Sequence, residues 1–252
     1  MATVAAVNVG AARSVAVARR TVETAIWKAP VDGRVAARGV NLAGDDQADR
    51  MVHGGPDKAV YAYGAEDYTW WEGELGRRLD PGTFGENLTI ADMAVSDAVV
   101  GERWEIGTAT FEVSQPRTPC GKLGIRMGDP KFPRRFAHAG RPGAYLRIVV
   151  EGDVGRGDDV RVVHKSGHGL TVAAVARAAE GEDSLIPDLL TAPELAETWV
   201  SWALGNAVEE LRRPAPDAGH DRLRDATLRR LVLAGVDPAD AGAVLAGLVR
   251  EA

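Results

Sequence analysis

Short apolar runs punctuated by Gly, Pro and Asp give way to helical periodicity near Gly169. This change constrains the fold more than any other feature of the 252-residue chain. Up to about His164, runs rich in Val, Ile, Thr or aromatics occupy 3–9, 24–27, 34–38, 103–106, 108–114, 144–150 and 159–163. Such spacing, with Gly101-Glu102 and Gly157-Asp158 as turns, predicts an all-β barrel or sandwich. One helix interrupts it at 65–76, where Tyr68, Trp71 and Leu75 recur as a core stripe and Gly76 is the stop. Tyr68, Trp70 and Trp71 read as structural.

After Gly169, Thr171 caps a helix that Gly181 ends. Pro193 marks the first turn of another, with Leu195, Trp199, Trp202 and Ala203 on one face. Residues 213–219 read as a linker. The tail from Asp221 to Ala252 is expected to form a helical hairpin broken near Gly235-Val236-Asp237-Pro238, with Ala241, Val244, Leu245 and Leu248 as its apolar stripe. The fold class is mainly β (α+β): a β-barrel or sandwich followed by a small C-terminal helical domain.

The chain carries 36 acids against 30 bases, a net charge of -6. Its single cysteine, Cys120, lies where that balance is reversed. From Gln115 to Arg147 the basic residues are Arg117, Lys122, Arg126, Lys131, Arg134, Arg135, Arg141 and Arg147, and Asp129 is the only acid. Nearby cations favour thiolate, which is both nucleophile and soft metal ligand, and the same cations can hold an anion such as phosphate. The alternative is a small buried thiol beneath a solvated basic face. Composition alone leans towards this alternative.

One cysteine cannot make an internal disulfide framework, a Cys-rich zinc site or a four-cysteine iron–sulfur cluster. It suits a reducing cytosol, and a cytoplasmic location is expected. No signal-peptide pattern or bilayer-length apolar run is found, so no membrane association is expected. The acidic balance argues against nucleic acid as a partner. His164 and His168 lack a zinc pattern, and neither a P-loop nor a GxGxxG after a strand occurs.

Two further segments are dense in candidate chemistry. His53-Gly54-Gly55-Pro56-Asp57-Lys58 precedes a strand at 60–63. Its glycines allow close backbone approach to an anion and Lys58 adds charge, although a tight turn explains it equally. In Gly82-Thr83-Phe84-Gly85-Glu86-Asn87-Leu88, Asn87 can bond a ligand or its own turn.

Taken in order, Gly44-Asp45-Asp46-Gln47-Ala48-Asp49, the segment from His53 to Tyr61, Phe84-Gly85-Glu86-Asn87-Leu88, and Ser114-Gln115-Pro116-Arg117-Thr118-Pro119-Cys120-Gly121-Lys122-Leu123 closely resemble the bacterial MOSC-domain family (molybdenum cofactor sulfurase C-terminal domain). They match its stand-alone branch of N-hydroxylaminopurine reductases. The resemblance covers about Val4 to Val163, and the helices from Thr171 to Arg212 resemble the three-helix domain that follows MOSC in that branch. It implies a MOSC β-barrel at 1–165, a three-helix domain at 166–212, and a linker with an additional hairpin at 213–252.

It also implies a molybdenum cofactor (molybdopterin) with Cys120 as the protein ligand to the metal. Lys58, Arg117, Lys122 and Arg126 are candidates for the cofactor phosphate, and His53 and Asn87 for orienting cofactor or substrate. The implied reaction reduces a small N-hydroxylated compound, with electrons from a separate reductase. A homodimer is kept open. So are two other functions: a sulfur or cofactor carrier acting through a Cys120 persulfide or thiolate without turnover, and an anion-binding module in which Cys120 is structural.

Overall fold

The computed structural model describes residues 1–17, 20–48, 54–213 and 218–250. Its strands are β1 (Thr3–Val9), β2 (Arg13–Val17), β3 (Arg20–Thr24), β4 (Ala29–Pro30), β5 (Arg34–Arg38), β6 (Asn41–Leu42), β7 (Val60–Gly64), β8 (Leu88–Ala91), β9 (Arg103–Ile106), β10 (Ala109–Pro116), β11 (Ala144–Val150), β12 (Gly152–Gly155) and β13 (Val160–His164). Its helices are α1 (Ala65–Leu75), α2 (Gly121–Met127), α3 (Phe132–His138), α4 (Val172–Ala179), α5 (Ile186–Thr191), α6 (Glu197–Leu211), α7 (Ala218–Leu233) and α8 (Ala241–Arg250).

Eight strands form one mixed sheet in the order β13-β9-β10-β11-β7-β8-β1-β4, in which β7 and β8 run parallel. β12, β5 and β6 form a second sheet, and β2 and β3 a separate hairpin. The α+β class matches the sequence reading, but the expected closed barrel is not formed as a continuous ladder. The large sheet curls until the start of β1 meets the start of β13 through one bridge, Thr3 to Asp159, with Val4 N donating to Asp158 O at 2.9 Å. Among the described residues no helix is long and apolar enough to cross a membrane.

The main core runs from the sheet (Val7, Leu88, Trp104, Phe111) into the later helices (Val175, Leu189, Val200). β10 is therefore covered on both faces, and its last six residues are all buried. A second, aromatic core lies beside the sheet. Tyr63, Trp71, Phe84, Phe132 and Phe136 interlock there, and Trp71 Nε1 donates to Tyr63 Oη at 2.8 Å. It ties α1 to α3, and the guanidinium of Arg117, in the cysteine loop, lies over its Phe136 ring.

Two local expectations were wrong. The strand expected at 24–27 is not formed beyond Thr24, the last residue of β3: Ile26 N bonds the Thr24 hydroxyl, and Lys28 N bonds Ile26 O, so short-range bonds replace a ladder at 25–27. Pro193 does not open a helix. Ala192 is extended, and Ala196 N bonds Ser114 O, which fixes this segment to β10 before α6 begins at Glu197. α7 and α8 are joined at 234–240, where Gly235 has φ 93°. Leu231 and Leu245 pack with Val208 of α6.

Candidate functional site

The site begins where β10 runs out. A register shift between Val113 and Gln115 bends the strand just before Pro116, as an extra residue in a ladder does. The two prolines at 116 and 119 then stiffen the loop that ends in Cys120, immediately before α2. Lys58 is brought to this loop by its own short turn. Ser114 Oγ donates to Asp57 O at 2.6 Å, Gln115 Nε2 reaches the same carbonyl at 3.2 Å, and Arg147 Nε holds the Asp57 carboxylate at 2.6 Å.

A recess opens beside the loop. It encloses about 90 Å³ within a wider cleft, and its lining includes Lys28, Asp45, Lys58, Asn87, Arg117, Cys120, Lys122 and Tyr145. Its polar base is a buried network. The Asp45 carboxylate accepts from Gly10 N at 2.8 Å, from Asn87 Nδ2 at 2.9 Å and from the Lys28 ammonium. Burial lowers the Lys28 pKa, and the attraction of Asp45 offsets this only in part. Asn87 Oδ1 accepts from Tyr61 N at 3.1 Å, while its own N–H bonds the carbonyl of Tyr61 at 2.7 Å. Gly85, with φ 79°, lets the wall close: a Cβ there would lie 2.9 Å from Ile26 Cγ1.

Arg117 sets the electrostatics. It is 7% exposed, and its guanidinium carbon sits 5.4 Å from the Tyr61 ring and 5.3 Å from the Phe136 ring. Nη1 is buried with no hydrogen-bond partner among the described residues. Burial pushes the Arg117 pKa down, but Tyr61, Tyr145, Cys120 and Tyr63 attract the guanidinium in their ionised forms, reached only at high pH, and the net direction is upward. Burial raises Tyr61 and Tyr145, so both phenols stay neutral and act as hydrogen-bonding groups rather than bases. A buried permanent cation with an unpartnered N–H is costly unless an anion meets it.

The structure brings Lys58, Asn87, Arg117, Cys120 and Lys122 into one recess from three distant segments, with Asp45 to Ala48 supplying a fourth. It does not bring Arg126 into that lining. Arg126 lies over the Trp27 ring at 5.9 Å, beside Arg13, which stacks on the same ring at 3.9 Å. His53 lies outside the described residues. Asn87 is committed to the scaffold through Tyr61 and Asp45, which makes it a positioning group. Sequence reasoning passed over Lys28, Asp45 and Tyr145. Asp45 stood inside a recognised motif, whereas Lys28 and Tyr145 carried no local signal. Among the described residues no three His, Cys, Asp or Glu side chains gather as a metal cage, so Cys120 is a single donor.

Residues 49–161 match the MOSC domain model. YflK of Bacillus subtilis (strain 168) is 34% identical over 199 residues, which span 78% of this chain and 90% of YflK. The chain belongs to the MOSC domain family. The crystal structure of YiiM from Geobacillus stearothermophilus superposes with a TM-score of 0.67 at 28% identity, covering 81% of this MOSC protein and 98% of that chain. A protein named "Reductase" from Gibberella moniliformis (strain M3125 / FGSC 7600) is 31% identical over 148 residues, 57% of this chain but 26% of that longer protein.

Proposed function

We propose that this MOSC protein is a molybdenum-cofactor-dependent reductase of small N-hydroxylated compounds such as hydroxylaminopurine-like bases. MOSC domains in general are associated with the molybdenum cofactor. The fit to this chain rests on its donor set. Cys120 offers one soft sulfur, and the surrounding recess offers the cations Lys58, Lys122 and buried Arg117. The unpartnered Nη1 of Arg117 carries the reading: it is a buried charge-assisted donor aimed at no protein acceptor among the described residues.

In this reading Cys120 ligates the metal, and Arg117, Lys58 and Lys122 hold the phosphate end. Asn87 and Asp45 keep the recess in shape, and Lys28 adds a buried positive charge. Bound there, the cofactor supplies the two-electron redox couple. The net reaction breaks the N–O bond: R–NH–OH, two electrons and two protons give R–NH2 and water. The low exposure of Arg117 strengthens its charge contact with a bound phosphate. A separate electron-transfer protein supplies the electrons. The protein named "Reductase" supports the oxidoreductase class.

The test is turnover by cofactor-loaded protein with a chemically reduced one-electron dye and an N-hydroxylated base. The reading expects amine product from the wild type and none from Cys120→Ser. NADH and substrate alone should give none. Cofactor retained without turnover would favour the carrier instead.

A further inference from the structure

The recess has a larger neighbour. A cavity of about 380 Å³ is lined by Lys58, Gln115, Pro116, Thr118, Cys120, Tyr145, Thr198, Trp199 and Trp202. Lys58, Thr118, Cys120 and Tyr145 line both spaces, so Cys120 stands at their junction. The recess is rich in charge. The neighbour is mainly apolar, and its far wall comes from α6, beyond the sheet. Two indoles of that helix form the wall, with ring centroids 5.8 Å apart and planes at 79°.

We propose that Trp199 and Trp202 are the specificity wall for substrate and select flat heteroaromatic N-hydroxylated compounds over aliphatic ones. This rests on the reading of Cys120 as the metal-binding centre. Three observations carry it. The volume falls in the range of small-molecule sites, roughly 300–1,000 Å³. The wall is rigid: Ala196 N bonds Ser114 O, and Arg147 Nη1 bonds Glu194 O at 2.9 Å, so the start of α6 is fixed to β10 and β11 beside the cysteine loop. Finally, both tryptophans are partly buried against the main core yet present surface to the cavity, which suits ring stacking. Flat bases have a π-face for such a wall, and aliphatic hydroxylamines do not.

The experiment compares wild type with Trp202→Leu, Trp202→Phe and Thr198→Trp. Thr198 is exposed at the cavity, so a large side chain there fills space without disturbing the core. Calorimetry on cofactor-free protein measures binding of 6-hydroxylaminopurine and of acetohydroxamic acid. Steady-state kinetics on loaded protein measure kcat/KM for both. Trp202→Leu is expected to weaken purine binding and lower the purine-to-hydroxamate kcat/KM ratio by about tenfold. Trp202→Phe should recover most of this, and Thr198→Trp should abolish purine binding. Undetectable purine binding by wild type overturns the proposal, as does an equal effect on both ligands. If Thr198→Trp removes molybdenum from the protein, the cavity belongs to the cofactor and the proposal also falls. If loaded wild type reduces neither compound, the function proposed above fails, while the binding series still judges the wall.

Discussion

Asp45→Asn tests whether the site base is an electrostatic structure rather than a passive turn. The Lys28 and Asp45 side chains are only 8% and 2% exposed. The substitution keeps shape but removes the charge opposite Lys28. It also turns an acceptor edge into an amide N–H facing either Gly10 N or Asn87 Nδ2, both donors to Asp45 in the wild type. Removing one partner of a buried ion pair costs roughly 3–5 kcal/mol, a large part of a total stability of roughly 5–15 kcal/mol. The ceiling is set by Lys28 giving up its proton, which burial already favours.

The folded pKa of Lys28 lies below its ordinary 10.5, so above it the unfolded chain binds more protons and stability rises with pH up to 10.5. Without Asp45 this window opens at lower pH. The deficit of Asp45→Asn therefore shrinks as pH rises through the window that the variant's lower Lys28 pKa opens. Urea unfolding followed by tryptophan fluorescence measures it. Lys28→Met in the Asp45→Asn background should recover at least about 2 kcal/mol, because no buried charge is then left unpaired. A loss under about 1 kcal/mol, or no recovery by Lys28→Met, would refute the reasoning.

Three further outcomes are expected. Arg117→Ala weakens cofactor retention by roughly 1.5–3 kcal/mol, about 10- to 150-fold, read as molybdenum content after dialysis. Glu86 is fully buried, and burial raises its pKa above 4.5; its Oε1 accepts from Tyr68 Oη at 2.5 Å, while Oε2 has no partner among the described residues. The unfolded state then ionises first, so the wild type loses stability relative to Glu86→Gln as pH rises from 4.5 through the folded value, measured by urea titration at several pH values. Removing the tail after Arg213 uncovers Val208 and Leu211 of α6, so the truncated chain should keep its sheet by circular dichroism but lose solubility in sedimentation assays.

Much of the site was legible because its polar residues occur in dense Gly- and Pro-rich runs. Lys58, Asn87, Arg117, Cys120 and Lys122 stood out in that way. Their convergence was implied only by the family resemblance and had no local signal, because it depends on β7, β8 and β10 lying near one another in the sheet, and strand order has no local signature. Lys28 was hidden for the same reason: its partner Asp45 is 17 positions away and meets it only once the chain has folded. Trp199 and Trp202 were read as a core face. Their spacing does place them against the core, but periodicity says nothing of a cavity on their other side. α2 and α3 were missed because prolines, glycines and like charges dominate 115–142, and burial of Leu123, Phe132 and Phe136 overrides those weak propensities. The β2–β3 hairpin was passed over within an N-terminal run of Ala, Val and Arg that shows little alternation of polar and apolar residues.

The central claim is that Cys120 and its cationic recess hold a molybdenum cofactor. Metal analysis of wild type and Cys120→Ser, expressed side by side in a host that makes the cofactor, tests it most directly. The account predicts molybdenum approaching about one atom per wild-type chain and a large loss in Cys120→Ser with the fold retained. Wild-type protein without molybdenum, from a host that loads another MOSC protein, would contradict it.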